Sequence, residues 1–127
     1  MGLNVDFSKL NNKISKLANK ANQKNIDKAL DKGDIVLKRA MRNEVPKDTG
    51  ELKRSIGEIN RKGKGTKRTS TVGINSDDRE VIERGYYQEH GTKRISGKKW
   101  MKRASKNSKD KVLEVMAKSL KEDMKDS

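Results

Sequence analysis

The chain predicts an α+β fold: a small antiparallel sheet with a long hairpin, flanked by N-terminal helices and a long C-terminal helix. Three observations carry that expectation. Apolar residues recur at three- and four-residue spacing over roughly the first forty positions and again after residue 98, the period of amphipathic helices. Between these runs, residues 56–60 and 69–75 turn to short segments with β-branched residues, as in strands. The only proline, Pro46, directly follows the first helical pattern. Its missing N–H and its clash with an α-helical Val45 should stop a helix there. At 127 residues a single domain is expected.

Composition sets limits on this picture. Only 30% of residues are hydrophobic and 39% are charged, which borders on chains that bury too little apolar surface to offset ordering entropy. A small core, or one completed by a partner subunit, is the expected solution. The net charge is +14, which favours a polyanionic partner: nucleic acid, an anionic membrane or an acidic protein face. The chain has no cysteine, so neither disulfides nor thiolate chemistry are available. No apolar run is long enough for a membrane span, and residues 1–7 lack the apolar core of a signal peptide. Asp6 stands where acylation after Gly2 would need Ser or Thr. A soluble protein made in the cytosol is expected.

Taken in order, residues 7–21 set Phe7, Leu10, Ile14, Leu17, Ala18 and Ala21 on one stripe, a helix that Ser8 could cap. Asn19, Asn22 and Asn25 weaken the run, and a break near residues 22–25 is expected. The next stripe is Ile26, Leu30, Leu37, Ala40 and Met41, with Ile35 and Val36 beside it. Gly33 interrupts it at a cost of about 1 kcal/mol relative to Ala. After Pro46, Asp48 and Thr49 can cap a short helical turn, Gly50 permits a tight approach, and Leu52 and Ile56 share a face.

Residues 61–68 contain Arg61, Lys62, Lys64, Lys67 and Arg68, two glycines and no acidic or apolar side chain. They predict an exposed, mobile tip between two hairpin strands. Residues 76–80 read as a polar turn, and Val81 and Ile82 as a short third element. If that piece is extended, the adjacent Tyr86 and Tyr87 face opposite sides, one towards the core. Glu89-His90-Gly91-Thr92 closes it with a glycine turn. From Lys98 onward, Trp100, Met101, Ala104, Ser108, Val112, Leu113, Met116, Ala117, Leu120 and Met124 form a long helical stripe.

Catalytic and ligand-binding constellations are sparse. His90 is the only histidine, and nothing around it has metal-ligand spacing. Its neighbour Glu89 could make it a general base, but no nucleophile is placed with them. No cofactor is expected. Gly63-Lys64-Gly65-Thr66-Lys67 lacks the spacing of a phosphate loop. The tip is therefore read either as a solvated hairpin end or as a contact to a nucleic-acid backbone. The lysine-flanked C-terminal helix has too few aromatic residues for a membrane surface, and the chain has too few for base stacking.

The order of the pieces resembles the gene-product-ten-like neck proteins of long-tailed bacteriophages and prophages. The motif residues are Pro46, Asp48, Thr49, Gly50, Leu52, Ser55 and Ile56, then Tyr86, Tyr87, Glu89, Gly91 and Thr92, then Trp100 and Ala104. The resemblance spans roughly residues 26–124, leaving residues 1–25 as a helical extension. It departs from the family at Gly97 and Arg103, where prolines are common. It implies a non-enzymatic virion component at the head–tail junction, a ring of identical subunits between head-completion and tail-completion proteins. Double-stranded DNA would pass through the lumen without sequence-specific contact, and no membrane would be involved. Arg61, Lys62, Lys64, Lys67 and Arg68 are then candidates for the DNA channel or a subunit interface, and replacing all five with Ser is expected to weaken assembly or DNA retention. A free basic nucleic-acid-binding protein explains the charge as well, but not the paired motifs.

Overall fold

The helical periodicity of the first forty residues resolves into a strand and two helices. The computed structural model describes residues 2–45, 50–92 and 96–125. It begins with β1 (Gly2–Val5), followed by α1 (Asn12–Lys20) and α2 (Gln23–Glu44). Strand β1 is a departure from the sequence expectation, as is the later start of α1. Asp6 Oδ1 accepts from both the backbone N–H and the hydroxyl of Ser8, so Ser8 belongs to a turn and does not cap a helix. Asn11 takes the capping role, its side chain accepting from the N–H of Ile14 at 3.1 Å. Phe7 is nevertheless buried, from the loop.

The expected break between the helical runs is present. Asn22 caps α2 by accepting from the N–H of Asn25 at 2.8 Å, so the asparagine that weakens one helix starts the next. Gly33 breaks nothing. A Cβ there would lie 2.8 Å from Val5 Cγ1 and 3.1 Å from Met116 Sδ, so its bare backbone lets β1 and the last helix approach α2. Helix α2 stops at Glu44, with Val45 extended at φ −63°, ψ 141°, as a residue before proline should be. Pro46, Asp48 and Thr49 lie outside the described residues, as does the side chain of Met124.

Beyond that junction come α3 (Gly50–Arg54), β2 (Ile56–Lys62), a 3-10 turn (Gly65–Lys67) and β3 (Thr69–Ile74). Then follow α4 (Arg79–His90) and α5 (Trp100–Lys125). The sheet is antiparallel with order β1-β3-β2. The hairpin expected from the sequence supplies two strands, and β1 adds a third on the far side of β3, with Leu3 opposite Val72. The short third element, which if extended would have set the tyrosines on opposite sides, is helical. Asp78 caps α4 by accepting from the N–H of Glu80 at 2.9 Å, and Val81, Gly85 and Glu89, four residues apart, form its buried edge. Tyr86 and Tyr87 therefore both lie on the exposed side, rather than one in the core.

The core runs between α2 and α5, which share the most extensive contact in the molecule. Ile26, Leu30 and Met41 meet Trp100, Met116 and Leu120, all fully buried, and the sheet adds Val5, Val72 and Ile56. Each such large side chain contributes roughly 1.5–3 kcal/mol. Leu52 of α3 is also fully buried. It reaches Gly85 of α4, where a Cβ would sit 2.0 Å from Ile74 Cδ1.

Candidate nucleic-acid interface

The basic hairpin tip is more ordered than its composition suggests, because its two arginines and three lysines do different work. Between Glu58 and Asn60 the β2–β3 register shifts, leaving Ile59 unpaired. In a regular strand Glu58 and Arg61 would point to opposite faces. The bulge turns both to the same side, and Arg61 Nε donates to Glu58 Oε1 at 2.6 Å. That side faces α2, which presents Asp27, Asp31 and Asp34 along one helical edge. Arg61 Nη2 reaches Asp31 at 2.7 Å and Asp34 at 3.0 Å, and Nη1 lies 3.4 Å from Asp27. Arg68 clamps Asp27 at 2.6 Å through Nε and donates to the Gly63 carbonyl at 2.9 Å. Gly63 itself, at φ 91°, leaves no room for a side chain against the Lys67 carbonyl.

Electrostatics in this clasp follow from two guanidinium groups facing four carboxylates. Ser70, fully buried and directly opposite Arg61 in the sheet, has its hydroxyl 2.7 Å from both oxygens of Asp34 and 2.9 Å from Glu58. One hydroxyl proton cannot serve three acceptor oxygens. Burial, with the nearby charge of Glu58, raises the pKa of Asp34 above the ordinary carboxylate value despite the bonds from Ser70 and Arg61. Desolvation would also raise Asp27, but the hydrogen bonds from Arg68 and Gln23 and the two arginine charges outweigh it and lower its pKa. Burial opposes the charge on Arg61, yet its bonds to Asp31 and Glu58 push its pKa further up. Arg61 and Arg68 thus fasten the hairpin to α2 and do not form the free tip that the sequence suggests.

Lys62, Lys64 and Lys67 remain exposed on the hairpin end. The 3-10 turn between them packs against α1, Thr66 sharing a small depression with Phe7, Ala18 and Asn19. Along α1, Lys13, Lys16 and Lys20 are exposed and fall within about 60° of one another at 100° per residue. The two elements together carry six lysines, and among the described residues none of the six forms an ion pair. Composition pointed to the tip but not to α1, although the i, i+3, i+7 spacing of Lys13, Lys16 and Lys20 was there to find.

The second motif forms a structural joint. Glu89 is buried and accepts from the backbone N–H groups of Met101 at 3.0 Å and Lys102 at 3.1 Å, capping α5 from another helix. Trp100, fully buried, donates its indole N–H to the Gly85 carbonyl at 3.2 Å. Gly91, at φ 82°, ends α4 by donating to the Tyr87 carbonyl. Glu89 and His90 are thereby separated in role: one is a buried cap, the other is exposed with its ring 4.6 Å from that of Tyr86. Among the described residues no cluster of three or more His, Asp or Glu side chains could hold a metal ion, and no helix is long and apolar enough to cross a membrane.

A family model described as "Bacteriophage HK97-gp10, putative tail-component" matches residues 8–91, and the chain belongs to this family. The match begins earlier than the resemblance read from the motifs, at Ser8, and ends at Gly91, before α5. No curated protein and no solved structure matches the chain.

Proposed function

We propose that this protein is a component of the phage head–tail connector, or neck. It forms a ring of identical subunits that joins head-completion and tail-completion proteins around the DNA channel. Membership of a phage tail-component family carries the reading, and the geometry supports it. The arginines of the hairpin are engaged on α2, while six exposed lysines lie on two adjoining elements, α1 and the hairpin end. Such lysines neutralise phosphates without reading sequence, which suits a conduit for DNA of any sequence. The chain's chemistry there is electrostatic: it holds a polyanion in register and lets it slide.

The deciding experiment is cryo-electron microscopy of particles from the phage that encodes the chain. Ring density for this chain between head and tail, with Lys62, Lys64 and Lys67 towards the lumen, is expected. A complete, resolved neck without it would overturn the proposal and favour a free nucleic-acid-binding protein. The mutational test must spare the arginines, since changing all five basic residues would also undo the clasp. Replacing Lys62, Lys64 and Lys67 with Ser is expected to leave stability within about 0.5 kcal/mol. It should reduce the salt dependence of DNA binding by about 0.9 in log–log slope per lysine that contacts phosphate.

A further inference from the structure

The outer face of α4 is unlike the rest of the surface. Tyr86 and Tyr87 are half of the chain's four aromatic residues, yet they are 50% and 47% exposed, and Ile82 is 39% exposed. Ile82, Tyr86 and His90 follow one another at four-residue spacing, and Glu83 and Tyr87 form a parallel ridge beside them. The tyrosine rings meet edge-on at 6.1 Å and Tyr86 packs on His90, so the patch is partly ordered before any partner arrives. Tyrosine is the side chain most often found at the energetic centre of interfaces, alongside Trp and Arg. In a chain so poor in apolar residues, two adjacent exposed tyrosines are not surplus core.

Charge distinguishes this face too. Asp77, Asp78, Glu80 and Glu83 lie within seven positions at its N-terminal end, against Arg79, which pairs with Glu83 at 3.1 Å. On a molecule of net charge +14, this is an acidic and aromatic surface. Its complement lies elsewhere on the same chain. A shallow groove between α2 and α3 is lined, among the described residues, by Ile35, Lys38, Arg39, Arg42, Asn43 and Lys53. Ile35 is 49% exposed, an apolar floor under four cations.

We propose that the α4 face of one subunit docks into the α2–α3 groove of the next copy of this chain, resting on the ring reading above and naming the surfaces that close the ring. Ile82 and the tyrosine rings cover Ile35. The guanidinium group of Arg39 lies over the tyrosine faces, where cation–π attraction is available, beside Arg42, which donates to the Ile56 carbonyl at 3.1 Å, and Glu80 and Glu83 meet Lys38 and Lys53. The contact is heterologous, since the two surfaces differ, and a heterologous contact generates a ring when its rotation closes. A symmetric pairing of two α4 faces would set Glu80 and Glu83 against their own copies, a like-charge arrangement that opposes binding. Three exposed apolar or aromatic side chains on α4 meet one in the groove, few against the roughly 20–30 residues a side of a stable isolated complex. Single contacts are therefore weak, and the ring persists through closure and its neighbours in the particle.

The test places a photoreactive benzophenone amino acid at Tyr86 and maps crosslinks in assembled particles by mass spectrometry. Crosslinks to residues 35–53 of a second copy are expected. Crosslinks to another region of the chain or to another protein, or no crosslink in particles that contain the chain, would overturn the interface while leaving the ring reading intact. Absence of the chain from particles would overturn both. In parallel, Glu80→Lys with Glu83→Lys is expected to reduce incorporation roughly tenfold or more, and Lys38→Glu with Lys53→Glu in the same chain to restore it. All these side chains sit on the surface, so unchanged thermal unfolding confirms that folding is unaffected, and failure of the second pair to rescue would count against the charge pairing.

Discussion

At the scale of single residues, the distinction between arginine and lysine separates structure from surface in the hairpin. Arg61 presents a planar fork of donors that serves Glu58, Asp31 and Asp34 at once, which a lysine ammonium could not do. Arg61→Ala is expected to destabilise the fold by about 3 kcal/mol, because it leaves partly buried carboxylates unpaired; urea denaturation measures it. The two aspartates should respond oppositely to pH. Asp27 has a lowered pKa in the fold, so its stabilisation is full above the ordinary value of 3.8 and is lost as pH falls below it. Asp34 has a raised pKa, so the fold loses stability as pH rises from 3.8 upward, until Asp34 is ionised. Urea midpoints against pH should therefore show Asp27→Asn converging on the native chain in acid, and Asp34→Asn removing part of the decline above 3.8. The acids at 27, 31 and 34 were visible in the sequence at helical spacing. What hid their role was the bulge at Ile59, a one-residue register shift with no compositional signature.

Among the elements, the joint between α4 and α5 shows most clearly what a motif can and cannot reveal. The glycine stop at Gly91 and the helix opening at Trp100 were both legible and both are present, but Glu89 and His90, read as part of the turn, belong to α4. The helical form of α4 was not legible because its buried edge holds only Val81, Gly85 and Glu89, too few apolar side chains to display a helical period. Glu89 could not be recognised as a cap, since it lies eleven residues before the helix it serves. Glu89→Ala is expected to cost about 2 kcal/mol, leaving the buried N–H of Met101 and the part-buried N–H of Lys102 without their acceptor; thermal unfolding would register it without any change in DNA binding. Gly85→Ala should cost about 1–3 kcal/mol through overpacking, because the new methyl group would occupy the place of Ile74 Cδ1. Strand β1 was unread for a similar reason: four residues pair with β3 from a distance of almost seventy positions, and no local pattern announces such a partner.

For the whole molecule, the α+β architecture was legible because long amphipathic helices and β-branched hairpin strands have distinct periods. The way the core closes was not, since it depends on α2 meeting α5. Those helices sit near opposite ends of the sequence, and β3, the middle strand, pairs with both the start of the chain and the segment before it. A chain cut after Gly91, the end of the family match, would leave Ile26, Leu30 and Met41 without their cover. It is expected to lack cooperative thermal unfolding by circular dichroism. The same connectivity governs how the protein is born. While the ribosome is still making α5, α2 has its apolar stripe facing water, and no stable core can form until the last helix leaves the exit tunnel. Until α5 emerges, the growing chain relies on the mutual repulsion of its lysines to stay apart from its siblings.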